Sequence, residues 1–314
     1  DTSVDGVRVF RFWTILPKPS ESQSLSPFWH SNLVWWFSST LFLWRIVKTF
    51  HPSHLHIQSK YLLPAGTVVG KLLGIPVIVT LRDYVVLCPH AYCIRRERNY
   101  RACTFWELVY TEYLQALQRQ NARVNGQKVL LFFATIRGWW IRCILQFFLR
   151  RADYIIGISR KLSLIYERNL IQVQQVIYNM MKFRKPPRRK QNIWLFVGRK
   201  TWGKGIDILL KAYEDVTQKK SVPPLYVMGH GTAFGKYENP GVKFLQHVPH
   251  IKYLEYLTRA KLVVVPSQWE EPFGRVALES ISQGTPALMT DSGALPEIIE
   301  HNKKIDELKK QEDE

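Results

Sequence analysis

A rhythm runs through this chain and limits the folds open to it. Short apolar, β-branched runs alternate with longer segments of helical period. The runs are "VRVFRF" (7–12), "HLHIQ" (54–58), "PVIVTL" (76–81), "YIIGI" (154–158), "VQQVI" (173–177), "IWLFV" (193–197), "LYVM" (225–228), "VKFL" (242–245), "LVVV" (262–265) and "PALM" (286–289). Several are apolar at consecutive positions, so both faces need cover, as in a parallel strand held between two helix layers. Helix-like segments over 205–219, 251–260 and 276–283 fall between them. This alternation predicts an α/β fold with parallel sheets.

At 314 residues the chain exceeds one typical domain. The stretch "MMKFRKPPRRKQ" (180–191) is basic, holds two prolines and has no apolar period, which reads as a linker. The charge changes at the same place. Residues 1–190 hold 28 Lys and Arg against 9 Asp and Glu, which is the whole net charge of +19, while residues 191–314 hold 16 of each. Two independent signals therefore predict domains over 1–185 and 186–314. A basic half beside a neutral half predicts an anionic partner for the first: a phosphorylated substrate, an anionic membrane surface or nucleic acid. The first half shows no recognised nucleic-acid-binding module, so nucleic acid is not an expected partner.

The most apolar stretches, 33–44 and 129–136, are shorter than the ~18–20 residues of a spanning helix, and Arg45, Arg137 and Arg142 interrupt their continuations. The chain is expected to lie on a membrane rather than cross it. Segments 33–48 and 129–151 read as helices of mixed apolar and cationic character, for which packing inside the domain and membrane docking both stay open. The opening residues carry no signal-peptide pattern, so the expected place is the cytoplasm, at the inner face of the cell membrane. The spacing of Cys88, Cys93, Cys103 and Cys143 does not fit a zinc ribbon, so reduced thiols and no metal are expected. The final "KKIDELKKQEDE" reads as a solvated helix or a frayed tail.

Two stretches carry chemistry. "FVGRKTWGKGIDILLKAY" (196–213) runs strand, glycine turn, helix. Gly198, Gly203 and Gly205 allow close backbone approach, and Arg199 and Lys204 bring two cations to the turn. Turns at the carboxyl end of a parallel strand are where α/β folds hold phosphates. The spacing is neither that of a Walker loop nor of the dinucleotide fingerprint. A basic surface turn is the plainer reading of these residues alone.

The second stretch is "PSQWEEPFGRVALESISQG" (266–284). It predicts a helix opening at Gly274, whose first N–H groups near Phe273, Gly274 and Arg275 form an anion or hydroxyl site. Glu279 falls about one turn into that helix and Glu271 in the loop before it. Two carboxylates bracketing a helix N-terminus suit a polyhydroxylated ligand with a charged group. Two unrelated surface glutamates are the plainer alternative.

In order and spacing, "FVGR…KGIDILLKAY", "VMGHG", "VVVPSQWEEPFGRVALES", "GTPAL" and "DSGALPEII" resemble the nucleotide-sugar domain of the retaining glycosyltransferases of family four, the glycosyl transferases group 1. The likeness is dense over about 193–300. "GKLLGIPVIVTLRDYVVLCP" and "RRADYIIGISR…VQQVIYNMM" resemble the acceptor domain. The resemblance implies the GT-B fold, two Rossmann-like domains facing across a cleft, acting without a metal or other cofactor. It implies a nucleotide-diphosphate sugar as donor and a glycan or lipid-linked acceptor. Arg199 and Lys204 would hold the diphosphate, Glu279 the ribose, and Glu271 and the N–H groups of Phe273 and Gly274 the donor sugar. Arg275 would stand beside them, and Gly229 and Gly231 would line the nucleotide pocket. Many relatives have His where Arg82 stands in "TLRDY"; Arg82 can donate to a phosphate or sugar oxygen but cannot act as a base, and His90 is its alternative neighbour. Relatives also extend beyond both ends, so the chain is expected to be truncated there. A silent relative that binds a sugar nucleotide or a membrane without transfer is the competing expectation.

Overall fold

The computed structural model describes residues 2–300 except 5, 12–31, 59, 89–93, 95, 96, 98, 113–124, 182–189, 230–236, 238, 246 and 247. The expected boundary at 185, most of the linker, Gly231, His90, Cys93 and the polar tail lie outside the described residues. The chain divides into two compact units: Asp1–Cys93, Ala102–Ile156 and Asn169–Gln175 in the first, and Ile94–Arg101, Gly157–Arg168 and Val176–Glu314 in the second.

The first unit opens with β1 (Thr2–Val4) and β2 (Val7–Val9), which pair antiparallel as a two-stranded ribbon. This corrects the reading of 7–12 as one more strand of the alternating parallel pattern. α1 (Leu33–Phe50) starts where the Asn32 side chain accepts from the amides of Val34 at 2.9 Å and Trp35 at 3.4 Å, satisfying donors that helix geometry leaves open. β3 (Leu55–Ile57), α2 (Leu63–Leu73) and β4 (Val77–Leu81) come next, with β3 and β4 parallel. α3 (Asn125–Leu149) leads into β5 (Tyr154–Gly157), and β6 (Gln175–Val176) completes a sheet of order β3-β4-β5-β6. Asp153 fixes the middle of this sheet by accepting from the Val77 amide at 2.9 Å and from Lys71 Nζ at 2.5 Å.

The second unit holds α4 (Arg160–Arg168), β7 (Trp194–Val197), α5 (Ile206–Thr217), β8 (Leu225–Met228), β9 (Val242–Leu245), α6 (His250–Arg259), β10 (Leu262–Val265), α7 (Arg275–Ser282) and β11 (Ala287–Met289). Its strands form one parallel sheet of order β11-β10-β7-β8-β9. Leu195, Val227 and Val263 are wholly buried in it, and α5 covers one face with Ile206, Leu209, Leu210 and Tyr213, one stripe of the 3.6-residue period. Each such side chain contributes about 1.5–3 kcal/mol on burial, so slipping a strand by one residue is strongly opposed. The expected α/β class with parallel sheets is what the structure shows. Among the described residues no helix is long and apolar enough to cross a membrane.

Candidate functional site

From β7 the chain builds β8 and β9 on one side, then returns to place β10 and β11 on the other. Strand order therefore reverses between β7 and β10, and the loops leaving their carboxyl ends diverge there. In open parallel sheets this is where a ligand crevice forms. The two loops at this point, 198–205 and 266–274, belong to the two stretches singled out in the sequence.

The loops are stitched to each other. The amides of Gln268 and Trp269 donate to the Gly203 carbonyl at 3.1 and 3.3 Å, and Gln268 Nε2 reaches the Trp202 carbonyl at 3.1 Å and Asp207 Oδ1 at 2.8 Å. Gly205 has φ +69°, and a Cβ there would lie 1.7 Å from the Pro266 carbonyl oxygen. Only glycine lets this turn seat on the end of β10. A Cβ on Gly203 would meet Trp269 at 3.5 Å and one on Gly198 would meet Phe196 at 3.4 Å, both ordinary contacts. The three glycines, alike in sequence, are thus unequal, and Gly205 is the one the packing demands.

Glu271 is 8% exposed. Lys204 Nζ donates to both its carboxylate oxygens, at 2.9 and 2.8 Å. Trp269 Nε1 donates at 2.8 Å and Ser267 Oγ at 3.0 Å, and Lys204 Nζ lies 5.0 Å from the centre of the Trp269 ring. A carboxylate so far from water needs partners, and here it has one cation and two neutral donors. Lys204 and Glu271, given separate roles from sequence, form one ion pair. Ser267 and Trp269 sit inside the same sequence stretch but were not singled out. The segment 290–294 braces the loop from outside: Thr290 Oγ1 donates to the Ser267 carbonyl at 2.8 Å, Ser292 Oγ to the Trp269 carbonyl at 2.6 Å, and the Ala294 amide to the Glu271 carbonyl at 2.8 Å.

Gly274 caps α7 with φ +90°, and a Cβ there would lie 2.4 Å from Leu295 Cδ2. Among the described residues the amides of Phe273 and Gly274 make no hydrogen bond, which leaves them available at the helix N-terminus. Glu279, 3% exposed, lies one turn further on. Arg275 Nη2 donates to its Oε1 at 2.9 Å and the Tyr253 hydroxyl to its Oε2. Burial, then the Glu279 carboxylate, push the Tyr253 phenol far above its ordinary range. Tyr253 stands on α6, 26 residues from Glu279, and nothing in the local sequence marks it as a partner.

Arg199 is exposed at the same turn, and its guanidinium has no partner among the described residues. Gly229 follows β8 with φ +137°, and a Cβ there would lie 1.9 Å from the Gly198 carbonyl oxygen. Arg82 is in the first unit, just past β4, where its Nη1 donates to Gln58 Oε1 at 3.1 Å. Behind the Phe273 loop, Ser159 Oγ donates to the Pro272 carbonyl at 2.7 Å. Glu297 accepts from the amides of Arg160 at 2.8 Å and Lys161 at 2.6 Å, capping α4, and from the Tyr178 hydroxyl at 2.8 Å. Burial and Glu297 push the Tyr178 phenol up to about 12. A cleft of about 490 Å3 lined by Arg160, Lys161, Glu167, Gly293 and Glu297 includes neither Lys204 nor Glu271, so the converging groups and not this hollow define the candidate site. Among the described residues no three His, Cys, Asp or Glu side chains gather as a metal-ligand set, and Cys88, Cys103 and Cys143 form no disulfide.

Residues 179–312 match the family model described as glycosyl transferases group 1. An uncharacterized glycosyltransferase of Methanocaldococcus jannaschii is 29% identical over 186 residues, which cover 56% of this chain and 50% of that protein. The chain spans half or less of the curated relatives with which it aligns first. Among solved structures, Anabaena HepE in complex with UDP-glucose superposes with a TM-score of 0.52 at 17% identity, over 82% of this chain and 64% of that one. TarM superposes with a TM-score of 0.54 at 14% identity, over 81% and 44%. The architecture is thus that of the GT-B glycosyltransferases, and the candidate site lies within the stretch that matches the glycosyl transferases group 1 model.

Proposed function

We propose that this chain is part of a retaining, metal-independent glycosyltransferase of family four that moves a sugar from a nucleotide-diphosphate sugar to a glycan or lipid-linked acceptor. One observation carries the reading: a cation and a buried carboxylate, Lys204 and Glu271, meet where strand order reverses, beside the open amides of Phe273 and Gly274. A lysine ammonium has three N–H donors; two go to Glu271, and the third can reach a phosphate oxygen. Arg199 adds a second cation, and the helix N-terminus adds its partial positive charge. These groups would stabilise the charge that develops on the departing diphosphate, which is the task a metal performs in other enzymes.

In this reading the bond from the anomeric carbon to the diphosphate oxygen breaks, and a bond to the acceptor hydroxyl forms on the same face of the sugar. The hydroxyl proton passes to the departing phosphate oxygen. Glu279, held by Arg275 and Tyr253, takes the ribose hydroxyls; Glu271 takes the sugar; Gly229 and Gly231 line the nucleotide pocket. Arg82 donates to a phosphate or sugar oxygen. The proposed setting is the inner face of a cell membrane, facing an anionic surface. HepE was crystallised with UDP-glucose, so UDP-glucose heads the panel of UDP-, GDP- and ADP-sugars to be titrated, with released nucleotide as the readout. Binding without transfer is the competing reading, favoured by Arg82 where many relatives of the resembled family carry His; nucleotide release separates the two.

A further inference from the structure

We infer that the solvent face of α3 rests in the headgroup layer of an anionic membrane. A surface helix usually turns an apolar stripe inward and polar residues outward. α3 does turn Thr135, Ile141, Leu145 and Leu149 inward, all buried. Yet its opposite side carries Val129, Phe133, Arg137, Trp140, Ile144 and Phe147, spaced three and four residues apart along one face, and Arg151 follows in the turn after the helix. Val129 is 55% exposed, Phe133 61%, Trp140 63% and Phe147 49%. Beside α3, where the Phe105 and Trp139 rings meet at 5.4 Å, the segment 105–112 adds exposed Trp106 and Tyr110. Single exposed apolar residues are common on soluble proteins, but a line of them from Val129 to Phe147, roughly 27 Å along one helix, needs an occupant.

Charge selects the occupant. No Asp or Glu falls within 125–152, whereas Arg137, Arg142, Arg150 and Arg151 do. The Arg151 guanidinium lies over the Phe147 ring at 3.4 Å and donates to the Phe147 carbonyl at 3.2 Å, which sets a cation directly against the apolar stripe. On the neighbouring segment Glu107 accepts from the Thr104 amide at 2.7 Å and the Thr104 hydroxyl at 3.0 Å. Two copies meeting through this face would oppose arginine to arginine, with no carboxylate from 125–152 between them, which disfavours a symmetric dimer. Arg137 and Arg142 in mid-helix oppose insertion across the bilayer. Aromatic and cationic side chains on one face, with no Asp or Glu within 125–152, are what a helix lying in the interface presents. Membrane contact through α3 does not depend on the proposed transfer reaction.

The test is co-sedimentation of the full chain with phosphatidylcholine vesicles, with and without about one third phosphatidylglycerol. Pelleting is expected with the anionic vesicles, about tenfold or more weaker with phosphatidylcholine alone, and lost toward ~0.5 M salt. The double variant Phe133→Ser, Trp140→Ser removes exposed apolar groups only, so its thermal unfolding should match the parent while its partitioning falls by about tenfold or more. Arg151→Gln should lower partitioning to the anionic vesicles alone. No pelleting by the parent overturns the inference. So do partitioning indifferent to lipid charge and equal partitioning of parent and double variant. So too does a parent dimer that the double variant dissolves, or salt-sensitive DNA binding in place of vesicle binding.

Discussion

Gly203 and Gly205 sit two residues apart in one turn, yet replacing each by alanine should have very different consequences. At Gly203 the added methyl meets Trp269 at 3.5 Å and displaces nothing. At Gly205 two costs combine. Alanine at φ +69° loses roughly 1–2 kcal/mol to the left-handed backbone. Its Cβ would also lie 1.7 Å from the Pro266 carbonyl oxygen, on backbone that cannot swing aside. Overpacking of that kind adds about 1–3 kcal/mol. Gly205→Ala should therefore cost about 2–5 kcal/mol, a large share of the ~5–15 kcal/mol that holds a domain folded. At roughly 2–4 °C per kcal/mol, thermal unfolding of the second unit should fall by about 4–20 °C, while Gly203→Ala stays within about 1–2 °C of the parent. Pro266 leads into the loop that carries Glu271, so Gly205→Ala should also loosen the Lys204–Glu271 contact and weaken sugar-nucleotide binding. Scanning calorimetry of both variants decides it. Equal melting temperatures for the two would refute the idea that backbone contact, rather than local flexibility, fixes this turn.

Lys204→Ala should destabilise the second unit by about 2–3 kcal/mol, less than the ~3–5 of a fully buried pair because the lysine is partly exposed; adding Glu271→Gln should recover most of the melting temperature without recovering nucleotide binding. Tyr253→Phe leaves the buried Glu279 with Arg275 as its side-chain partner among the described residues, and should cost about 1–3 kcal/mol by denaturant titration; an unchanged midpoint would contradict the contact. The hydrogen bond from Lys71 holds the Asp153 carboxyl below its ordinary value, so its contribution is present above about pH 4 and lost as the pH falls through the depressed value. Asp153→Asn should thus lower first-unit stability modestly at neutral pH, with the gap to the parent closing in acid.

Much of the second unit could be read directly. Leu225–Met228, Val242–Leu245 and Leu262–Val265 form strands over the residues their apolar runs mark, because each run is bounded by residues that cannot continue a buried strand. Pairing partners are another matter. Val7–Val9 has the composition of a parallel strand, but its partner is three residues upstream and antiparallel, a choice no local pattern encodes. "VQQVI" shrinks to Gln175–Val176, since two glutamines interrupt its apolar face. At the candidate site, residues inside one loop were legible as a group. The Lys204–Glu271 pair and the Tyr253–Glu279 bond were not, because each joins segments that only the crossover connections of the sheet bring together. Glycine identity alone could not separate Gly205 from Gly203; that needed the dihedral and the carbonyl of Pro266.

Whether this chain binds a sugar nucleotide and releases its nucleotide without a metal is decided by calorimetric titration. The full chain is titrated with the UDP-, GDP- and ADP-sugar panel in excess EDTA, and nucleotide release is then measured on the sugar that binds. Saturable binding of at least one sugar nucleotide is expected, with release that persists in EDTA. Affinity should be about tenfold or more weaker in both Lys204→Ala and Arg199→Ala, as loss of a charge-assisted phosphate contact requires. Binding by none of the panel, release restored only by added manganese or magnesium, or parent-like affinity in both variants would contradict the proposed function.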